Sequence, residues 1–101
     1  MNEITLVIPA KNEPESLPKV LDELKKYDVK KIIVMSEDDL STYSSIKSYN
    51  EKILFQTGKG FGNALREGIT SVETKYFCVF NADGSFDPSD LYKLKEKLES
   101  G

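Results

Sequence analysis

The chain has 101 residues, 39% hydrophobic and 31% charged, with a formal net charge of −3. That composition suits one small soluble domain around a single core. It excludes a dedicated nucleic-acid surface, because the charge excess is acidic and no basic stripe occurs. The absence of histidine removes histidine-based triads and histidine-ligated zinc, so any chemistry falls to carboxylates, Lys, Arg, Tyr, hydroxyls, backbone amides and a hard cation.

Residues 3–8, EITLVI, read as a strand ended by Pro9. Leu17, Val20, Leu21 and Leu24 then recur at helical spacing, which predicts a helix over 14–26 with Pro14 and Pro18 near its start. KIIVM, 31–35, is apolar enough for a strand covered on both faces. SEDDLSTYSS follows as a loop or the start of a helix, and Tyr43, Ile46 and Tyr49 suggest a short helix. KILF, 52–55, is a short strand, and TGKGFG is a glycine-rich turn. A helix is expected over 61–72, with Phe61, Ala64, Leu65, Ile69 and Val72 on its buried side. YFCVF, 76–80, is the fourth strand. Asp87 and Pro88 read as N-cap and first residue of a last helix buried through Leu91, Leu94 and Leu98.

Strand and helix alternate throughout, which predicts an α/β fold with helices on both faces of a mainly parallel sheet. Ligands of such sheets bind beyond the carboxyl ends of the strands. The loops at that end are PAKNEP, SEDDLST, QTGKGFG and NADGSFDP, and the unusual residue clusters of the chain all lie in them. Cys78, the single cysteine, lies in an apolar run and reads as a packing residue. Lys11, Glu13 and Glu15 break any signal-peptide core, and no apolar run approaches the roughly 18 residues of a membrane span. These features point to the cytoplasm.

Each loop admits a structural and a functional reading. Gly58, Gly60 and Gly62 before a helix, with Lys59, form either a capped turn or a diphosphate cradle. The segment matches neither GxxxxGK[ST] nor GxGxxG, whose third glycine falls on Asn63. Asp83, with Asn81 two residues earlier, is either a turn aspartate or an oxygen ligand for Mg²⁺ or Mn²⁺ held jointly with phosphate. Asn12 and Glu13 either cap the first helix or contact a base or ribose. Glu37, Asp38 and Asp39 form either a solvated loop or an acceptor for a base N–H.

VIPAKNEPESLPKVLDEL, GKGFGNALREGI and FNADGSFDP, in this order and spacing, resemble glycosyltransferase family 2, of the GT-A fold, and the polyprenyl-phosphate sugar transferase branch in particular. The resemblance covers almost the whole chain. It implies a Rossmann-like, three-layer α/β/α domain that binds a UDP- or GDP-sugar and passes the sugar to an acceptor such as a lipid phosphate. Pro9, Ala10 and Glu13 would border the base and ribose, with a carboxylate from Glu37, Asp38 or Asp39. Gly58, Lys59, Gly60 and Asn63 would lie near the nucleotide. Asp83 would be the metal-linked aspartate under the diphosphate, with Asn81 where the family's Asp-x-Asp triplet has its first acid. The catalytic base stays unassigned.

The chain departs from the family pattern in three places. Asn81 lowers the negative charge of the triplet. The acidic loop aligns either through Ser36-Glu37 or through Asp38-Asp39, with Leu40 for a glycine. The chain also ends at Gly101, where members of the family usually run on, so residues 1–101 are expected to be a single donor-binding domain without the acceptor-binding half. An exposed sheet edge leads to the expectation of a homodimer, and a binding module without transfer activity is the competing reading. A nucleotidyltransferase is less favoured, because PAKNEP lacks the glycines such enzymes carry after their first strand.

Overall fold

Ile4, Leu6 and Ile8 point to one side of the first strand, and Thr5 and Val7 to the other, all of them buried. This strand, β1 (Ile4–Pro9), can be covered twice only if helices pack on both faces. The computed structural model, which describes residues 4–27 and 29–83 together with Lys93 and Glu96, has that arrangement. The elements follow as α1 (Ser16–Leu24), β2 (Lys30–Met35), α2 (Leu40–Ile46) with a 3-10 turn over Lys47–Tyr49, β3 (Lys52–Phe55), α3 (Phe61–Thr70) and β4 (Tyr76–Val79). The four strands form one parallel sheet in the order β3-β2-β1-β4. The expected α/β architecture is therefore present. The proposed last helix from Asp87, with Leu91, Leu94 and Leu98, lies outside the described residues.

On one face, Leu17, Val20, Leu21 and Leu24 of α1 pack with Ile4, Leu6, Ile8, Ile33, Met35, Ile46 and Phe80. On the other, Val7, Ile32 and Val34 meet Ala64 of α3. The buried side of α1 is the one its spacing predicts. The helix starts later than expected, at Ser16, so Pro14 precedes it and Pro18 sits in the first turn, where its missing N–H breaks no helical bond.

Helix α3 corrects the expectation more substantially. Its buried residues are Ala64 and Gly68, and Phe61 is 61% exposed. The helix ends at Thr70 rather than at residue 72. Small residues one turn apart let its backbone lie against the sheet. A Cβ on Gly68 would stand 2.6 Å from Val7 Cγ1 and 2.9 Å from Val34 Cγ2, two fully buried and stiff side chains. Packing that close leaves no room for a large residue on the sheet-facing line of α3.

Strands β1 and β2 are central. The outer strands are thinner in cover, and Phe55 and Phe77 remain about half-exposed. Cys78 is half-buried against the α1-side core, and burial raises its thiol pKa, as befits a packing cysteine. Lys31 Nζ pairs with Glu51 at 3.4 Å near the amino ends of β2 and β3, away from the functional loops.

Gly68→Ala tests the close approach. Alanine would gain helix propensity of about 1 kcal/mol, but overpacking against Val7 and Val34 costs about 1–3 kcal/mol. A net loss of stability is expected in urea unfolding; a stabilised variant would show that α3 stands further from the sheet.

Candidate functional site

The carboxyl ends of β1, β2 and β3 converge because the three strands are parallel and in register. Ala10 N–H donates to Val34 O at 2.9 Å, and Gln56 N–H to Met35 O at 2.9 Å, so the ladder continues past the strand ends. The loops that follow enclose a cleft of about 460 Å³. Its floor and one wall come from Pro9, Ala10, Lys11 and Asn12. Ser36, Asp38 and Asp39 form a second side, and Gln56, Gly58, Lys59, Gly60, Phe61 and Ala64 a third. Two lysines and two aspartates thus share one opening.

The first two loops are stitched together by α2. Asn12 adopts a left-handed conformation, φ 54, and its N–H donates to Asp39 Oδ2 at 2.7 Å. Asp39 also caps α2 by accepting from Thr42 N–H at 3.4 Å. The buried Thr42 hydroxyl in turn accepts the Glu13 N–H at 2.9 Å. Burial opposes ionisation of Asp39, but the Asn12 amide, the Thr42 hydroxyl and amide, and Ser41 outweigh it and hold the carboxyl below the ordinary 3.8. Asp39 thus acts as a cap and a clamp. Asp38 is exposed on the cleft wall, and its own N–H lies 3.3 Å from Ser36 Oγ.

The glycine loop is held from below by Glu67, a residue that composition and spacing did not single out. Its Oε1 accepts from Thr57 N–H at 2.9 Å and from Thr57 Oγ1 at 2.9 Å. Its Oε2 accepts from Gly58 N–H at 3.4 Å and closely from Asn63 Nδ2. The Thr57 amide bond is the main cause that lowers the Glu67 carboxyl below the ordinary 4.5. Gln56 Nε2 donates to Gly58 O at 3.0 Å and more weakly to Gly60 O at 3.4 Å. Among the described glycines only Gly60 has a positive φ, +92, and it stands at the N-cap of α3 without a side-chain cap.

The residues expected from sequence divide accordingly. Pro9, Ala10, Asp38, Asp39, Gly58, Lys59 and Gly60 are brought together around the cleft. Glu13, Glu37 and Asn63 are not on its lining; Glu13 offers its amide to Thr42, and Asn63 binds Glu67 and Arg66. Asn81 and Asp83 are exposed just after β4 and lie outside that lining. The β1–β4 register pairs Val7 with Val79, which carries the chain after β4 alongside the Pro9–Asn12 loop. Gln56 and Phe61 line the cleft without having been expected there; Phe61 was counted with the buried side of its helix.

A clamp of this kind is acid-sensitive with a defined sign. Because the folded Asp39 carboxyl binds its proton less tightly than a free one, its stabilisation is full above pH 3.8 and is lost as pH falls through the lower folded value. Asp39→Ala is expected to lose about 1 kcal/mol of stability at neutral pH. Asp39→Asn keeps a capping oxygen, so it should lose less there and show a shallower decline on acidification. Urea unfolding at several pH values checks both, and equal acid sensitivity in the wild type and Asp39→Asn would count against the clamp.

Comparison with known proteins bears on the family and the fold. The sequence profile of the family described as "Glycosyl transferase family 2" matches residues 5–101. An uncharacterised glycosyltransferase of Mycobacterium bovis is 33% identical over 99 residues, covering 97% of this chain and 44% of its own length. The dolichyl-phosphate beta-glucosyltransferase of Dictyostelium discoideum is 27% identical, covering 92% of this chain and 34% of its own length. The crystal structure of mannosyl-3-phosphoglycerate synthase from Rubrobacter xylanophilus superposes with a TM-score of 0.74 at 14% identity, covering 87% of this chain and 33% of that one. The chain thus spans less than half the length of these relatives. On its sequence and on its GT-A-like parallel α/β fold, it belongs to glycosyl transferase family 2.

Proposed function

We propose that the cleft at the carboxyl ends of β1, β2 and β3 binds the nucleotide of a UDP- or GDP-sugar, and that residues 1–101 form the donor-binding domain of a glycosyltransferase. The observation that carries this reading is the convergence of the Pro9–Asn12, Ser36–Asp39 and Gly58–Phe61 segments on one cleft in a family 2 chain. The exposed Asp38 offers an acceptor to a base N–H, while Asp39 is occupied as clamp. Lys59 and Lys11 supply positive charge to the anionic part of the ligand. The relative named for dolichyl-phosphate favours a polyprenyl phosphate as acceptor.

Among the described residues no cluster of three or more Asp, Glu, Cys or His side chains converges as a protein-only metal site. One carboxylate at Asp83 and one amide oxygen at Asn81 suit instead a Mg²⁺ or Mn²⁺ shared with the donor diphosphate. Bound there, such a cation would offset charge on the departing diphosphate. No described helix is long and apolar enough to cross a membrane.

Calorimetric titration with UDP and with GDP, each with and without Mn²⁺, tests the proposal. Binding by one nucleotide is expected to strengthen with the metal and to lose that dependence on chelation or in Asp83→Ala. Binding that is indifferent to both would remove the metal role. No binding of either nucleotide by the folded chain would remove the donor site itself.

A second reading rests on the half-exposed Phe55 and Phe77 of the outer strands. A nucleotide-binding module without transfer activity would bury them by self-association. Sedimentation showing only monomer at high concentration would oppose it.

A further inference from the structure

We infer that Glu67 is the positioning residue of the cleft: from the second turn of α3 it fixes the Thr57–Gly60 loop in the shape that receives the nucleotide. The inference deepens the donor-site reading above and rests on it. Helical side chains lean toward the amino end of their helix. Glu67 therefore reaches back over Asn63, one turn earlier, to the loop that precedes α3. There its carboxylate gathers four donors: the Thr57 amide, the Thr57 hydroxyl, the Gly58 amide and the Asn63 side chain. Arg66 Nη2 holds the other end of the Asn63 amide at 3.0 Å.

Two consequences bear on the ligand. First, the amides of Thr57 and Gly58 donate to Glu67 and are not offered to a phosphate. Second, a negative charge stands directly beneath these two residues, which disfavours an anion there. Gly58, on the cleft lining, is thereby suited to the neutral base and ribose, and the positive charge comes from Lys59 beside it on the same lining. A Cβ on Gly58 would lie 2.6 Å from Asn63 Nδ2, so a larger residue there would have to displace the Asn63 side chain that Glu67 holds.

The test uses the 101-residue chain, with Glu67→Gln and Glu67→Ala beside the wild type. Gln keeps the length and one acceptor but presents an N–H₂ where Gly58 and Asn63 donate. Ala removes all four bonds while raising helix propensity, so a role confined to helix stability would leave it neutral or better. Exchange of the Thr57 and Gly58 amides is followed by NMR without nucleotide, and UDP and GDP affinities are measured by calorimetry. Losing charge-assisted bonds predicts about tenfold faster exchange at both amides and about tenfold weaker nucleotide binding in Glu67→Ala, with Glu67→Gln between it and the wild type. Exchange at Ile8, in the core strand, should not change.

Unchanged exchange at Thr57 and Gly58 in Glu67→Ala overturns the inference, whether or not any nucleotide binds. Faster exchange with undiminished affinity also overturns it, since the loop would then be held by Glu67 without serving the cleft. If the wild type binds neither nucleotide, the donor-site reading fails by itself, and the exchange comparison alone then decides whether Glu67 sets the loop.

Discussion

Strand β1 is paired on both edges and covered on both faces, so its backbone and side chains must all be satisfied from within the chain. Burying Ile4, Leu6 and Ile8 on one side and Val7 on the other requires a helix layer on each side. The sequence supplies one by the leucine stripe of α1 and the other by the small residues of α3. Once β1 is central and all its neighbours are parallel, the strand ends fall together and the loops beyond them have one place to meet. The cleft is a consequence of that parallel pairing more than of any one loop.

The architecture was legible because both periodicities were strong. Leu17, Val20, Leu21 and Leu24 mark one helix face without ambiguity, and KIIVM can be little else than a covered strand. The reading failed where a helix packs by smallness. Apolar spacing in α3 found Ala64 but put Phe61 beside it, whereas the second buried residue of the helix is Gly68. A glycine in a helix carries no apolar signal, so Gly68 was invisible on the facing line until Val7 and Val34 were seen beside it.

The site was half legible for a related reason. Sequence places a residue in a loop but does not say where its polar groups are spent. Asp38 and Asp39 are chemically alike, yet one is exposed on the cleft wall and the other is committed to Asn12 and Thr42. Glu67 looks like an ordinary surface acid of an amphipathic helix, and only the backward reach of its side chain reveals four donors waiting for it. Polar residues that shape a site are thus harder to read than residues that face it, because their partners are distant in sequence or hidden in the backbone.

The unequal cover of the two strands beside β1 bears on how the protein opens. The Asn12–Asp39 bond closes over 27 residues, and the Thr5–Thr74 bond near the amino end of β4 over 69. Loop-closure entropy separates these by less than about 1 kcal/mol, so chain length does little to rank them. Burial ranks them instead: β2 is sealed from Ile32 to Met35, while β4 leaves Phe77 half in water. Sub-global opening should therefore involve β4, like the equally thinly covered β3, before β1, α1 and β2, which form the last cooperative unit, a hierarchy that amide exchange along Tyr76–Val79 against Ile32–Val34 would display.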